Sequence, residues 1–118
     1  MQTDTSTRQS HSLIASDRVE GTPVRRSDGG KIGTIERLMI DKLSGNVAYA
    51  VLSFGGFLGI GGRYFPLPWE KLRYDTELGG YCVDIDPSSL EGAPSYADDA
   101  PDPWLDASFG DAVAGYYR

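Results

Sequence analysis

The stretch Val47–Trp69, "VAYAVLSFGGFLGIGGRYFPLPW", decides the fold. Its opening, residues 47–54, is β-branched and aromatic with apolar side chains on both alternating faces, the pattern of a central strand. Five glycines then fall within the eight positions Gly55 to Gly62, around the apolar side chains of Phe57, Leu58 and Ile60. The following "RYFPLP", residues 63–68, reads as an edge strand, because Pro66 and Pro68 sit on the same side and donate no ladder hydrogen bonds. The glycine loop is therefore held between two strands. Its chemistry is that of a phosphate cradle, a hinge or an adhesive surface.

Phosphate binding fails at the residues that would carry it. A P-loop needs its last glycine followed by Lys and then Ser or Thr, to reach the phosphates and the magnesium ion. Gly56 and Gly61 have the right separation, but Gly62 and Arg63 follow. A dinucleotide fingerprint begins with Gly59 and Gly61, yet Tyr64 stands in the third glycine's place and no helix follows. Two readings stay open. The apolar side chains fold back over an open barrel end, or they face outward as an interface. Both hold together if a symmetric partner completes the core.

Upstream of the loop, "PVRRSDGGKIGTI" reads as strand, turn, strand, with Asp28-Gly29-Gly30 supplying the turn. In "KIGTIERLMID" the apolar spacing fits neither a helix nor a regular strand. Gly33 disfavours the helix and the preceding hairpin needs a partner, so a strand with a bulge near Glu36 and Arg37 is expected. Downstream, "WEKL" makes one helical turn that returns Trp69 and Leu72 to the body, and "RYD" with "YCVDID" forms a last hairpin about Glu77–Gly80. Asp86 caps a short helix begun by Pro87 and running through Leu90. Five or six short strands, with no long helical period before residue 87, predict an all-β fold, a small antiparallel barrel or sandwich.

Residues 1–12 are rich in Ser, Thr and Gln and predict a disordered lead-in, with order beginning near Leu13 and Ile14. Residues 93–103 form an acidic Pro, Asp and Ala linker. Beyond it Phe109, Val113, Tyr116 and Tyr117 recur at helical spacing, weakened by Gly110 and Gly115. With Trp104 they predict a tail that docks on the barrel. Residues 91–118 carry six acidic groups against Arg118, a net −5 of the chain's −6. The body is nearly neutral and has no basic stripe, which disfavours nucleic-acid binding.

Catalytic chemistry has few candidates. The one histidine, His11, falls in the expected disordered lead-in, so a Ser-His-Asp or Cys-His unit has no fixed base. Asp84 and Asp86 share one face of the expected strand, but nothing marks the burial that would raise a carboxylate pKa. Asp98, Asp99 and Asp102 lack the ligand order of an EF-hand loop. Cys82 is alone, which rules out an internal disulfide, and reads as a small half-buried thiol. No cofactor and no metal site are expected. No apolar run approaches the ~18–20 residues of a membrane helix, and the N-terminal residues lack a signal peptide's apolar core, so a soluble cytoplasmic protein without membrane insertion is expected.

Gly21, Pro23-Val24, Asp28-Gly29, Ile32-Gly33, Ile40-Asp41, Ser44-Gly45, "YAVLSFGGFLGIGGRYFPLPW" and "YCVDID" together resemble the stand-alone bacterial PRC-barrel proteins. The resemblance covers roughly residues 13–92, with residues 93–118 as linker and tail, and extends weakly into that tail. It implies a small β-barrel related to the cytoplasmic barrel of the photosynthetic reaction centre H subunit and to the C-terminal barrel of ribosome-maturation factors. It also implies an adaptor or assembly module without a catalytic site of its own. The expected protein is a homodimeric interaction module with an unidentified protein partner. Phe57, Leu58, Ile60, Tyr64 and Trp69 are its candidate contact residues. An RNA or ribosome-associated assembly factor is the alternative.

Overall fold

The computed structural model describes residues 13–54 and 62–118. Seven strands, β1 (Pro23–Arg25), β2 (Lys31–Ile40), β3 (Val47–Ser53), β4 (Arg63–Pro68), β5 (Arg73–Asp75), β6 (Gly80–Cys82) and β7 (Tyr96–Ala97), form one sheet in the order β5-β6-β1-β2-β3-β4-β7. Two helices flank it, α1 (Ser16–Val19) and α2 (Ala107–Tyr116), and short 3-10 segments lie at Trp69–Lys71, Pro87–Gly92 and Pro103–Leu105. The all-β architecture agrees with the sequence. Three particulars differ from a five- or six-stranded antiparallel barrel. The tail contributes a seventh strand, β1 and β6 run parallel, and the described strands do not close into a ring.

Local chemistry sets the hairpins. Gly29 takes φ +91° and the Asp28 carboxylate accepts from the Gly30 amide at 2.9 Å, which turns β1 into β2. The β2–β3 register slips between Ile35 and Arg37, so Glu36 is the extra residue of a bulge. At the far end of that hairpin Asp41 accepts from the amides of Leu43 and Ser44 at 2.8 and 3.0 Å. These bonds, that of Ser44 foremost, hold its carboxyl below the ordinary carboxylate value. Gly33 has a stronger reason to be glycine than dislike of a helix. A Cβ there would stand 2.6 Å from the Ser53 carbonyl oxygen and 2.9 Å from the Phe54 ring.

The two faces of the central strands are buried in different ways. Ala50, Leu52 and Phe54 point into one core with Ile32, Ile35, Phe65 and Leu67. Tyr49 and Val51 take the opposite face, and their partners Pro68 and Pro66 share it with Tyr64. Val51 is 0% exposed and Pro66 is also fully buried, so this face too lies under cover. Its cover is the tail. The double burial explains why β3 is apolar at both parities, as the sequence of a central strand requires.

Sequence features beyond residue 80 fall out differently in detail. β6 ends at Cys82, so Asp84 and Asp86 do not share a strand face; each stands on irregular backbone. Asp86 caps the 3-10 turn by accepting from the Ser88 amide at 3.1 Å. Cys82 is completely buried rather than half-buried, since its strand lies between β5 and β1.

Candidate interaction surface

Phe57, Leu58 and Ile60 lie outside the described residues. The residues that flank them are placed. Phe54, at the loop's entrance, is buried edge-on against Phe65, with ring centroids 4.9 Å apart. Gly62, at its exit, takes φ +83°, and its carbonyl accepts from the Asp98 amide at 2.9 Å. Antiparallel pairs Arg63 with Ala97 and Tyr64 with Tyr96 continue this seam between β4 and β7. The tail is thus bonded to the residue where the glycine loop ends.

The pairing stops before Pro66. Pro66 and Pro68 have no N–H to donate, so a longer partner strand could not extend the ladder there in full. From β7 the chain crosses the outer face by ring contacts. Tyr64 meets Tyr96 at 5.6 Å, Tyr96 meets Phe109 at 5.9 Å, Phe109 meets Trp104 at 5.1 Å and Trp104 meets Tyr49 at 4.8 Å. Three of these contacts are edge-to-face, the arrangement that sets a positive ring edge against a negative face. The Arg37 guanidinium lies 5.0 Å from the Tyr64 centroid and extends the array by a cation–π contact.

The tail residues divide between surface cover and core. Val113 is 0% exposed and Tyr117 9%, and both belong to the core cluster; Phe109 packs against it. Tyr116 is partly exposed and its hydroxyl donates to the Ser89 carbonyl. The Tyr49 hydroxyl donates to the Gly110 carbonyl at 3.4 Å. Asp106 caps α2 by accepting from the Ser108 amide at 3.0 Å. Burial pushes the Tyr117 phenol well above its ordinary value, and among the described residues its hydroxyl and the Trp104 indole N–H are buried without a hydrogen-bond partner.

Tyr64 and Trp69 are half-buried, each with a ring partner in the chain. Tyr64 is sandwiched between Tyr96 and Arg37, and Trp69 packs on Tyr81 with centroids 5.2 Å apart. Arg37 and Tyr96 were not singled out as site residues by the sequence. Arg37 shows there only as part of a bulge, and a two-residue strand such as β7 leaves no periodic trace.

The carboxylates are arranged for structure. Asp84 accepts from the Ser27 amide at 3.4 Å and lies 3.6 Å from Arg73, with both side chains more than half exposed. Its pKa is lowered, chiefly by Ser27, and that of Asp86 is lowered by the Ser88 amide first. A general acid needs a shift in the other direction. No group of three or more metal-binding side chains gathers among the described residues. No helix of the described residues is long and apolar enough to cross a membrane.

A search of curated proteins finds no match. The PRC-barrel domain profile matches residues 11–90, which takes in β1 to β6 and ends at Leu90, before the tail strand and helix. With a match over more than half its length, the chain belongs to the PRC-barrel domain family.

Proposed function

We infer that the protein is a non-enzymatic interaction or assembly adaptor that self-associates as a homodimer, with Phe57, Leu58 and Ile60 at the contact. The observation that carries this reading is the junction of loop and tail. A glycine-rich segment bearing three apolar side chains joins β3 to β4, and the acidic tail is bonded to its last residue. Apolar side chains on such a loop find their cover on another chain or beneath a movable part of their own.

The perturbed carboxylates support the same reading, because Asp41, Asp86 and Asp106 are shifted down by turn and cap bonds and Asp84 by the bond from Ser27 across the fold. Such groups stay ionised at neutral pH and neither donate nor collect protons there. The test is Leu58→Glu in the full chain, followed by light scattering. The substitution would bury an unpaired charge at the contact and should shift the protein from dimer to monomer. A mass unchanged by the substitution would sink the reading.

A further inference from the structure

The tail roofs β3 and β4 but leaves a gap over β2. Because the register places Arg37 opposite Val51 and Met39 opposite Tyr49, both β2 residues lie on the outer face that the tail covers. Between them and the tail is a cavity of about 320 Å³, lined by Arg37, Met39, Tyr96, Asp98, Asp102 and Trp104 among others. Met39 supplies an apolar surface, Tyr96 and Trp104 supply aromatic ones, and two carboxylates complete the lining.

The charges of this cavity are not mutually satisfied. Arg37 makes no ion pair with Asp98 or Asp102 and is held over the Tyr64 ring instead. Asp102 spends one oxygen on the Trp104 amide, at 3.0 Å, as the cap of the 3-10 turn. The Asp98 amide is fixed to the Gly62 carbonyl, and its exposed carboxylate has neither a hydrogen bond nor an ion pair among the described residues. The surrounding segment, residues 91–118, is itself at −5.

We propose that this cavity is a binding site for an arginine side chain of a partner protein. Carboxylates beside aromatic rings suit a guanidinium. Its planar face stacks on an indole or phenol ring, and its N–H fork meets carboxylate oxygens in two parallel bonds. An apolar side chain leaves both carboxylates unused, and an anion meets two carboxylates against the single Arg37 guanidinium, which the Tyr64 ring already engages. A cavity of about 320 Å³ has room for one long side chain. The site goes beyond the self-association reading and does not depend on it, because its residues lie on β2 and the tail.

The experiment uses the 15N-labelled full-length protein and two neutral-backbone probes, N-acetyl-arginine amide and its uncharged counterpart N-acetyl-citrulline amide. Expected are saturable shifts of the Trp104 indole N–H and of amides near residues 37–39 and 96–104 with the arginine probe, and none with citrulline. Asp98→Asn should weaken the affinity about two- to five-fold, the range of an exposed ion pair, and leave the fold intact, since that carboxylate makes no internal bond. Equal shifts from both probes, an unchanged affinity in Asp98→Asn, or shifts mapping elsewhere would overturn the site. A failure here leaves the Leu58→Glu result untouched, so the two readings fall separately.

Discussion

The barrel, residues 11–90, and the tail, residues 91–118, are attached to the molecule by different forces. Six barrel strands share backbone ladders and a core of aliphatic side chains with Phe54, Phe65 and Tyr81. The tail has one two-residue strand pair, a row of ring contacts, and three residues in the core, Ala93, Val113 and Tyr117. Among the described residues, the two buried side-chain polar atoms without partners, the Trp104 indole N–H and the Tyr117 hydroxyl, both belong to the tail. Each such group costs about 1–3 kcal/mol of lost hydration that burial of its ring must offset. The lesson is that one continuous core can contain a tightly specified part and a part held by a narrow margin.

The largest test strikes the barrel. Gly33→Ala places a methyl group against a backbone carbonyl that cannot swing aside. A loss of about 3 kcal/mol in urea unfolding is expected, with barrel and tail failing together. A loss under about 1 kcal/mol would mean that β2 and β3 can separate locally, and that the barrel is less rigid than its contacts suggest.

A smaller change should strike the tail alone. Val113→Ala removes two buried carbons and should cost about 2 kcal/mol. Hydrogen exchange in α2 should then rise roughly thirty-fold, while β2 and β3 keep their protection. An equal loss of protection in both regions would show one cooperative unit and erase the contrast.

The mildest test removes a single oxygen. Tyr117→Phe deletes a hydroxyl that has no partner, so stability at neutral pH should be unchanged or higher by up to about 1 kcal/mol. The phenol's pKa is raised in the folded state above its ordinary 10.0. Its contribution is therefore whole below pH 10 and is lost as pH climbs beyond that value, because the unfolded chain ionises there first. Tail protection in the wild type should fall at such pH and that in Tyr117→Phe should fall less. Identical alkaline profiles would assign the loss to another group.

Much of the barrel was legible in the sequence, because its signals are local. The Asp28-Gly29 turn, the bulge at Glu36, the two-sided apolar pattern of β3 and the Asp86 cap each rest on residues within a few positions of one another. The parallel pairing of β1 with β6 leaves no such mark, since it joins distant segments of three residues each. The reason for Gly33 was hidden for the same cause, because the atoms that exclude a side chain come from Ser53 and Phe54. The ring partners of the candidate contact residues Tyr64 and Trp69, Tyr96 and Tyr81, cannot be read from spacing. Helical spacing did mark Val113 and Tyr117, which the structure places in the core.

The parallel pair also sets the order in which the molecule can be made. On an emerging chain, β1 to β4 can join neighbour to neighbour, each to the strand just synthesised. The free side of β1 must wait until Tyr81 and Cys82 arrive to meet Val24 and Arg25. Long-range closures of this kind slow folding, since loop entropy is spent before the contact repays it. Until then β1 stands as an open edge, and the nascent chain is most exposed to mispairing shortly before its sixth strand leaves the ribosome.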